Sequence, residues 1–154
     1  MATDEHFLRQ AIDLALANVR DQGGRPFGAL VVKDGEVIAT GVNEIGATGD
    51  PTAHAELSAI RKAAQVLGAP RLDGCVVYAS GQPCPMCLSA MYLTGVSAVR
   101  FAYSNEDGEP FGLSTATVYA ELAKPLDDQA LDVRHQPVGP DQQSPYAAWR
   151  LLRA

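Results

Sequence analysis

Two short stretches of this chain carry residue types that do chemistry together: Pro83-Cys84-Pro85-Met86-Cys87 and, upstream of it, His54-Ala55-Glu56. One imidazole and two thiolates form a borderline-soft ligand set suited to zinc. Structural zinc sites are closed by four protein ligands, whereas catalytic ones keep a position open for water. His54, Cys84 and Cys87 supply three ligands, and no second Cys-x-x-Cys or His pair completes a closed site. Glu56 follows the imidazole by two residues, placed to handle protons beside the metal. A Cys-x-x-Cys pair alone would equally fit a redox dithiol or half of a structural zinc knuckle. The proline before the first Cys, together with His-x-Glu at another helix start, favours the catalytic arrangement.

The flanking sequence explains how these residues converge. Asp50-Pro51 reads as a helix start, with Asp able to cap and Pro suited to the first helical position. Thr52 to Val66 then keeps an apolar stripe through Leu57, Ile60, Ala64 and Leu67, and Gly68 ends it. This places His54 and Glu56 in the first turn, where the incoming chain lets both reach one ion. Gly81-Gln82-Pro83 breaks the chain after a strand, and Cys84 to Thr94 reads as a short helix closed by Gly95. Two Cys three apart at a helix start lie on one face. The helix N-terminus and a cation both favour thiolate over thiol. Two helix starts facing one metal is the expected arrangement.

The remaining elements form the scaffold. Thr3 is a candidate cap for a first helix, with Asp4 and Glu5 at its positive end; Phe7, Leu8, Ala11, Ile12, Ala15, Leu16 and Val19 recur at helical spacing until Gly23-Gly24. His6, in that first turn, reads as a solvated side chain. Ala29 to Lys33 and Val37 to Val42 are β-branched runs joined by Asp34-Gly35, a hairpin signal. Further strands are expected at Cys75 to Ala79 and Val99 to Tyr103, with Cys75 a buried core thiol. Asn105 to Gly108 reads as a polar loop, Thr115 to Ala123 as a helix ended by Pro125, and Leu131 to His135 as a last strand with His135 at its edge. Strands alternating with helices after a hairpin predict an α/β/α sandwich around a mixed five-stranded sheet, one pair antiparallel and the rest parallel.

Bulk properties narrow the function classes. At 154 residues the chain suits a single domain. Hydrophobic content of 47% with 19% charged residues is ordinary for a globular protein. No apolar run approaches the ~20 residues of a membrane span, and no signal-peptide pattern opens the chain, so neither membrane nor export is expected. With three Cys, two of them claimed by metal, a disulfide framework is not expected and a reducing cytoplasm fits. The net charge is −6, with Lys33, Arg61, Lys62, Arg71 and Arg100 scattered. Gripping a nucleic acid takes a basic patch, because phosphate neutralisation dominates that affinity. A small uncharged substrate is expected, not a polynucleotide.

The paired motifs match the His-x-Glu…Pro-Cys-x-x-Cys signature of zinc nucleobase deaminases. The likeness extends through Pro26-Phe27-Gly28-Ala29, Asn43, Asp50-Pro51-Thr52-Ala53-His54-Ala55-Glu56 and Ser144-Pro145-Tyr146-Ala147-Ala148-Trp149-Arg150. Over nearly its whole length the chain resembles the bacterial guanine deaminases of the cytidine deaminase superfamily. The resemblance implies the superfamily's sandwich fold, zinc on His54, Cys84 and Cys87, and Glu56 as proton carrier. It implies Phe27 packed against the base, with Asn43 and the Ala55 amide hydrogen-bonding it. It also implies a homodimer that exchanges C-terminal tails (about residues 140–154), bringing Tyr146 and Trp149 over the partner's pocket. From the residues alone the tail reads as an amphipathic helix packing on its own core.

The chain departs from that pattern in two places. The guanine deaminases carry an Asp-Asp pair where Ser114-Thr115 stands, and one of those acids faces the amide edge of the purine. Thr115 is therefore a candidate substrate contact, offering a hydroxyl where a carboxylate would match guanine's donors more strongly. The tail beyond Trp149 is also short for closing a pocket. Asp107, Glu109 and Glu121 are the acids on the same loop and helix that could replace the missing pair.

The chemistry implied is hydrolytic deamination of an amino-substituted heteroaromatic ring: zinc lowers the pKa of water toward ~7, Glu56 moves the proton, and ammonia leaves. Guanine leads on resemblance, and cytosine, azacytosine, isoguanine or an aminotriazine stay open on the Ser114-Thr115 change. A tRNA-editing adenosine deaminase shares the zinc motif, but the acidic charge of this chain argues against that role and favours a free base. A non-catalytic zinc-stabilised interaction module would need a protein ligand in the fourth position.

Overall fold

The computed structural model describes residues 2–153, which fall into two compact units, one running to Tyr119 and one beginning at Ala120. The first unit opens with α1 (Asp4–Gln22), capped as expected by the Thr3 hydroxyl, which accepts from the His6 N–H. Phe7, Ala11 and Ala15 share its buried face, and His6 is exposed beside Gln10. Strands β1 (Gly28–Lys33) and β2 (Glu36–Val42) form the antiparallel hairpin. Its turn places Asp34 at φ 51° and Gly35 at φ 79°, the left-handed geometry that a two-residue hairpin requires.

After the single turn α2 (Ile45–Thr48) come α3 (Ala55–Leu67), β3 (Cys75–Gly81), α4 (Pro85–Thr94) and β4 (Ala98–Tyr103). The sheet order is β2-β1-β3-β4. Strand β3 pairs antiparallel with β1, and β4 pairs parallel with β3. The expectation of one antiparallel pair is therefore corrected to two. The chain leaving β2 crosses over α3 and enters β3 beyond β1, so β1 lies between two strands that both oppose it. Only the β3–α4–β4 crossover makes a parallel neighbour.

The sheet has four strands among the described residues, and the fifth, expected at residues 131–135, does not form. That stretch lies in the second unit with no regular structure and no ladder partner, and His135 is exposed on it. Its alternation offers only Leu131 and Val133 as an apolar face, and an alternating pattern cannot by itself supply partners for backbone N–H and C=O groups.

Period-two alternation sorts the core into two faces. Ala29 and Val31 of β1, with Cys75 and Val77 of β3, pack with Ala55, Ala59, Ala63, Cys87 and Met91 of α3 and α4. Leu30 and Val32, with Tyr78, pack with Phe7 and Ala11 of α1. Helices thus cover both sides of a mixed sheet, and Cys75 is the buried thiol expected of it. The Tyr78 hydroxyl donates to the Asp4 carboxylate at 2.6 Å, tying the start of α1 to the sheet.

Beyond β4, residues 105–108 form a helical turn, α5 (Asn105–Gly108), instead of the expected loop. A capping box produces it: Ser104 Oγ accepts from the Asp107 N–H, and the Asp107 carboxylate accepts from the Ser104 N–H. Helix α6 (Ala116–Leu122) follows, one residue shorter at each end than expected. In the second unit α7 (Pro145–Leu151) is capped by Ser144 Oγ, which accepts from the Ala147 N–H. None of its residues is buried.

Candidate active site

His54 and Cys84 are both N-cap residues, of α3 and α4 respectively, so two helix starts do converge. The expected start of α3 moves, however. Asp50 does not cap it; its carboxylate accepts from the Thr52 N–H at 2.8 Å and the Thr52 hydroxyl at 2.7 Å, closing a separate turn. His54 itself is extended, at φ −76° and ψ 153°, and its side chain makes no capping hydrogen bond to the helix it introduces.

His54 Nδ1 lies 3.3 Å from Cys84 Sγ and 3.5 Å from Cys87 Sγ. Tetrahedral bonds of about 2.1 Å to nitrogen and 2.3 Å to sulfur separate two such ligand atoms by about 3.6 Å. The three side chains therefore stand at the spacing one zinc ion imposes. No other His, Cys, Asp or Glu among the described residues joins the cluster.

The protonation of the donors points the same way. Hydrogen bonds from Cys87 and then His54 hold the Cys84 thiol down to about 4. The hydrogen bond to Cys84, followed by burial, pushes Cys87 strongly upward, because a second thiolate beside the first has no counter-charge. The bond to Cys84 raises His54. A dication between the sulfurs removes that conflict, as thiolate–zinc sites do. The donor set fits zinc.

Glu56, in the first turn of α3, is 6% exposed. Burial pushes its carboxyl up to about 7. It lines a cavity of about 160 Å3 together with His54, Cys84, Phe27, Asn43, Ala55 and Thr115. Every expected residue of the first unit except the fully buried ligand Cys87 therefore reaches this one space. Tyr146 and Trp149 stand on α7 in the second unit, both exposed. Asp107 is held in its capping box, Glu109 lies on an exposed 3-10 turn, and Glu121 pairs with Lys124 at 2.9 Å. None of the three lines the cavity, so the acids that could have replaced the missing pair do not.

Residues outside the motifs, Gly112, Leu113 and Ser114 among them, line or brace the cavity. Arg25 and Gln82 line the cavity. Asn105 receives both the N–H and the hydroxyl of Thr115 on Oδ1, at 3.2 and 3.4 Å, and its own N–H donates to Gln82 Oε1 at 2.9 Å. Asn18, buried on α1, donates from Nδ2 to the carbonyls of Arg25 and Asn43 at 2.8 and 2.9 Å. The Phe27 ring rests on Gly81, where a β-carbon would come within 3.2 Å of it. Arg25 and Gln82 sit beside Pro26-Phe27 and Pro83, and adjacency to those motifs is the signal that could have found them. Asn18 has no such signal.

Comparison with known proteins agrees with this geometry. The family described as the cytidine and deoxycytidylate deaminase zinc-binding region matches residues 1–103. The guanine deaminase of Bacillus subtilis is 44% identical over 146 residues, covering 95% of this chain and 93% of that one. Its X-ray structure superposes with a TM-score of 0.89 at 43% identity, covering 97% of this chain and 95% of that one. A structure of guanine deaminase from Nitrosomonas europaea gives a TM-score of 0.70 at 30% identity, over 75% of this chain and 66% of that one.

Proposed function

Because the chain belongs to the cytidine and deoxycytidylate deaminase family, and within it is a guanine deaminase-like zinc deaminase, we propose that its substrate is a free nucleobase, guanine first. The observation that carries this is one imidazole nitrogen within 3.3 and 3.5 Å of two sulfurs, beside a buried carboxylate on the wall of a cavity. Zinc held by His54, Cys84 and Cys87 supplies Lewis acidity and makes water acidic enough to serve as nucleophile near neutrality.

The chain's own residues do the rest. Glu56 accepts the proton released by the attacking water and passes it to the ring nitrogen next to the amine. Glu56 then takes the remaining proton from the hydroxyl now on that carbon and delivers it to the amine, so that the C–N bond breaks and ammonia departs as the carbonyl forms. A carboxyl raised to about 7 by burial exchanges protons readily at neutral pH, and a cation beside it draws it back toward the carboxylate that acts first. Phe27 offers its ring face to the base, and Asn43 and the Ala55 N–H hydrogen-bond it. The Ala55 N–H is free because it opens a helix.

Ser114-Thr115 supports a second reading, in which the preferred ring is cytosine, azacytosine, isoguanine or an aminotriazine. Among the described residues Glu56 is the single carboxylate on the cavity wall, so guanine's ring N–H and amine meet hydroxyls.

The proposal extends to assembly and location. We place the protein in the cytoplasm as a homodimer whose tails are exchanged; its three Cys are unpaired, and among the described residues no helix is long and apolar enough to cross a membrane. Tyr146 is 85% exposed and Trp149 57%, with Leu151 and Leu152 uncovered beside them, which is the surface a partner's pocket would take.

Ammonia release from free bases, nucleosides and triazines, with and without chelator, tests the substrate. Turnover of nucleosides alone would remove the free-base reading. Glu56→Ala should keep zinc and lose roughly 10²-fold or more in turnover; near-normal turnover would remove Glu56 from its role. Scattering mass in solution, with and without residues 140–154, tests the dimer: a monomer in both cases would end it.

A further inference from the structure

The cavity beside the zinc ligands is rich in unclaimed donors and poor in acceptors. Asn43 is 5% exposed, and its Oδ1 accepts the Ile45 N–H at 3.2 Å, which fixes the amide orientation. Its Nδ2 has no protein partner, yet no buried side-chain nitrogen or oxygen among the described residues is unsatisfied, so Nδ2 opens into the cavity. Gln82 is oriented in the same way: Oε1 accepts the Asn105 N–H at 2.9 Å and leaves Nε2 free. Arg25, an exposed residue that also lines this cavity, makes no side-chain hydrogen bond or ion pair. Thr115 donates its hydroxyl hydrogen to Asn105, leaving only an oxygen to offer.

Resting on the deaminase reading above, we propose that Arg25 is a substrate-binding residue. It selects amino-heterocycles that carry an oxo group, or the negative charge such a group acquires on ring deprotonation, on an edge remote from the amine. A guanidinium presents a planar fork of N–H donors that no other wall residue matches, and hydrogen bonds from a charged donor are about twice as strong as neutral ones. Asn43 Nδ2 and Gln82 Nε2 extend the same donor surface. A ring of equal size bearing only C–H on that edge would forgo the charged hydrogen bond from Arg25 and cover the Asn43 Nδ2 donor without a partner, and polar groups left unpaired reject a ligand more strongly than apolar mismatches do.

The experiment compares matched pairs that differ in the oxo group: guanine with 2-aminopurine, and cytosine with 4-aminopyrimidine. Each is assayed for ammonia release by zinc-loaded wild type, Arg25→Ala and Arg25→Lys. For the pair that is turned over, Arg25→Ala should lower kcat/KM for the oxo ring by roughly tenfold, mainly through KM, and change the other ring less than about twofold. Arg25→Lys should restore part of the difference. Equal losses on both members, or none, would overturn the assignment while leaving deamination intact. Silence on all four rings would instead count against the substrate reading. Calorimetry with zinc-loaded Glu56→Ala then repeats the comparison on binding alone, where loss of oxo preference on adding Arg25→Ala supports the inference and an unchanged preference overturns it.

Discussion

Gly41 and Ala55 approach so closely that no side chain fits between strand β2 and helix α3: a β-carbon on Gly41 would overlap the Ala55 carbonyl oxygen and stand 2.8 Å from the Ala59 nitrogen. The first turn of α3, which carries Glu56 and follows His54, thus sits directly on the sheet. Gly28 plays the matching part on the opposite face, where a β-carbon would lie 2.5 Å from the Ala11 carbonyl oxygen of α1. Alanine at either position is overpacked and should cost about 1–3 kcal/mol. The two should differ in function. Gly41→Ala pushes the zinc-bearing turn outward and should lower zinc content and turnover at temperatures where the protein is still folded, whereas Gly28→Ala should lower Tm with zinc retained. Metal analysis beside thermal melts separates them, and equal zinc content in both would show that the turn is not located by this contact.

Asn18 holds two loops with one nitrogen. Its Nδ2 bonds the carbonyls of Arg25 and Asn43, so the residues before Phe27 and after β2 are fixed relative to each other from α1. Asn18→Ala leaves two carbonyls without their donor at a site that is 5% exposed, a loss of about 1–3 kcal/mol. Because both loops line the cavity, KM should rise more than kcat falls. Steady-state kinetics below the melting range would show it, and a variant with lowered Tm but wild-type KM would restrict Asn18 to stability.

The residues that were legible in the sequence are those whose chemistry or backbone demands are local. Asp34-Gly35 announces its hairpin because left-handed turn geometry selects such residues, and Cys84 with Gly95 brackets α4 for similar reasons. Asp50-Pro51 misled because an Asp that closes a two-residue turn and an Asp that caps a helix look alike in a sequence; only the side-chain bonds to Thr52 distinguish them. The cavity's remaining wall was illegible for a different reason. Arg25 and Gln82 had only their adjacency to the motifs to mark them, and Asn105, which holds Gln82 and Thr115 from behind the wall, meets them through tertiary contacts that no periodicity records. The strand expected at residues 131–135 failed because alternation describes a face and says nothing about a partner.

Zinc should contribute to folding as well as to chemistry. Cys84 and Cys87 cannot both ionise comfortably without a cation, and His54 joins two helix starts through it. Any ion that binds only the folded chain stabilises it by mass action. Chelation should therefore lower Tm measurably and reversibly, and Cys87→Ser should lower Tm and make it insensitive to chelator. A wild-type Tm indifferent to chelator, with zinc verifiably removed, would mean that the helix starts are held by packing alone.

Thr115 gives the most direct handle on ring choice. Its N–H and hydroxyl both point at Asn105 Oδ1, so the oxygen it presents to the cavity is neutral. Replacing it by Asp supplies a charged acceptor for a ring N–H and adjacent amine, which guanine has and cytosine lacks in that pairing. Asn105 Oδ1 keeps its bond from the backbone N–H of residue 115, and the new carboxylate turns away from that oxygen toward the cavity. Thr115→Asp should therefore raise the guanine-to-cytosine ratio of kcat/KM by roughly tenfold, the scale expected when a neutral acceptor becomes charged. Thr115→Asn, of similar size and uncharged, should change the ratio little. Should both variants shift the ratio equally, side-chain volume and not charge would govern selection at this wall.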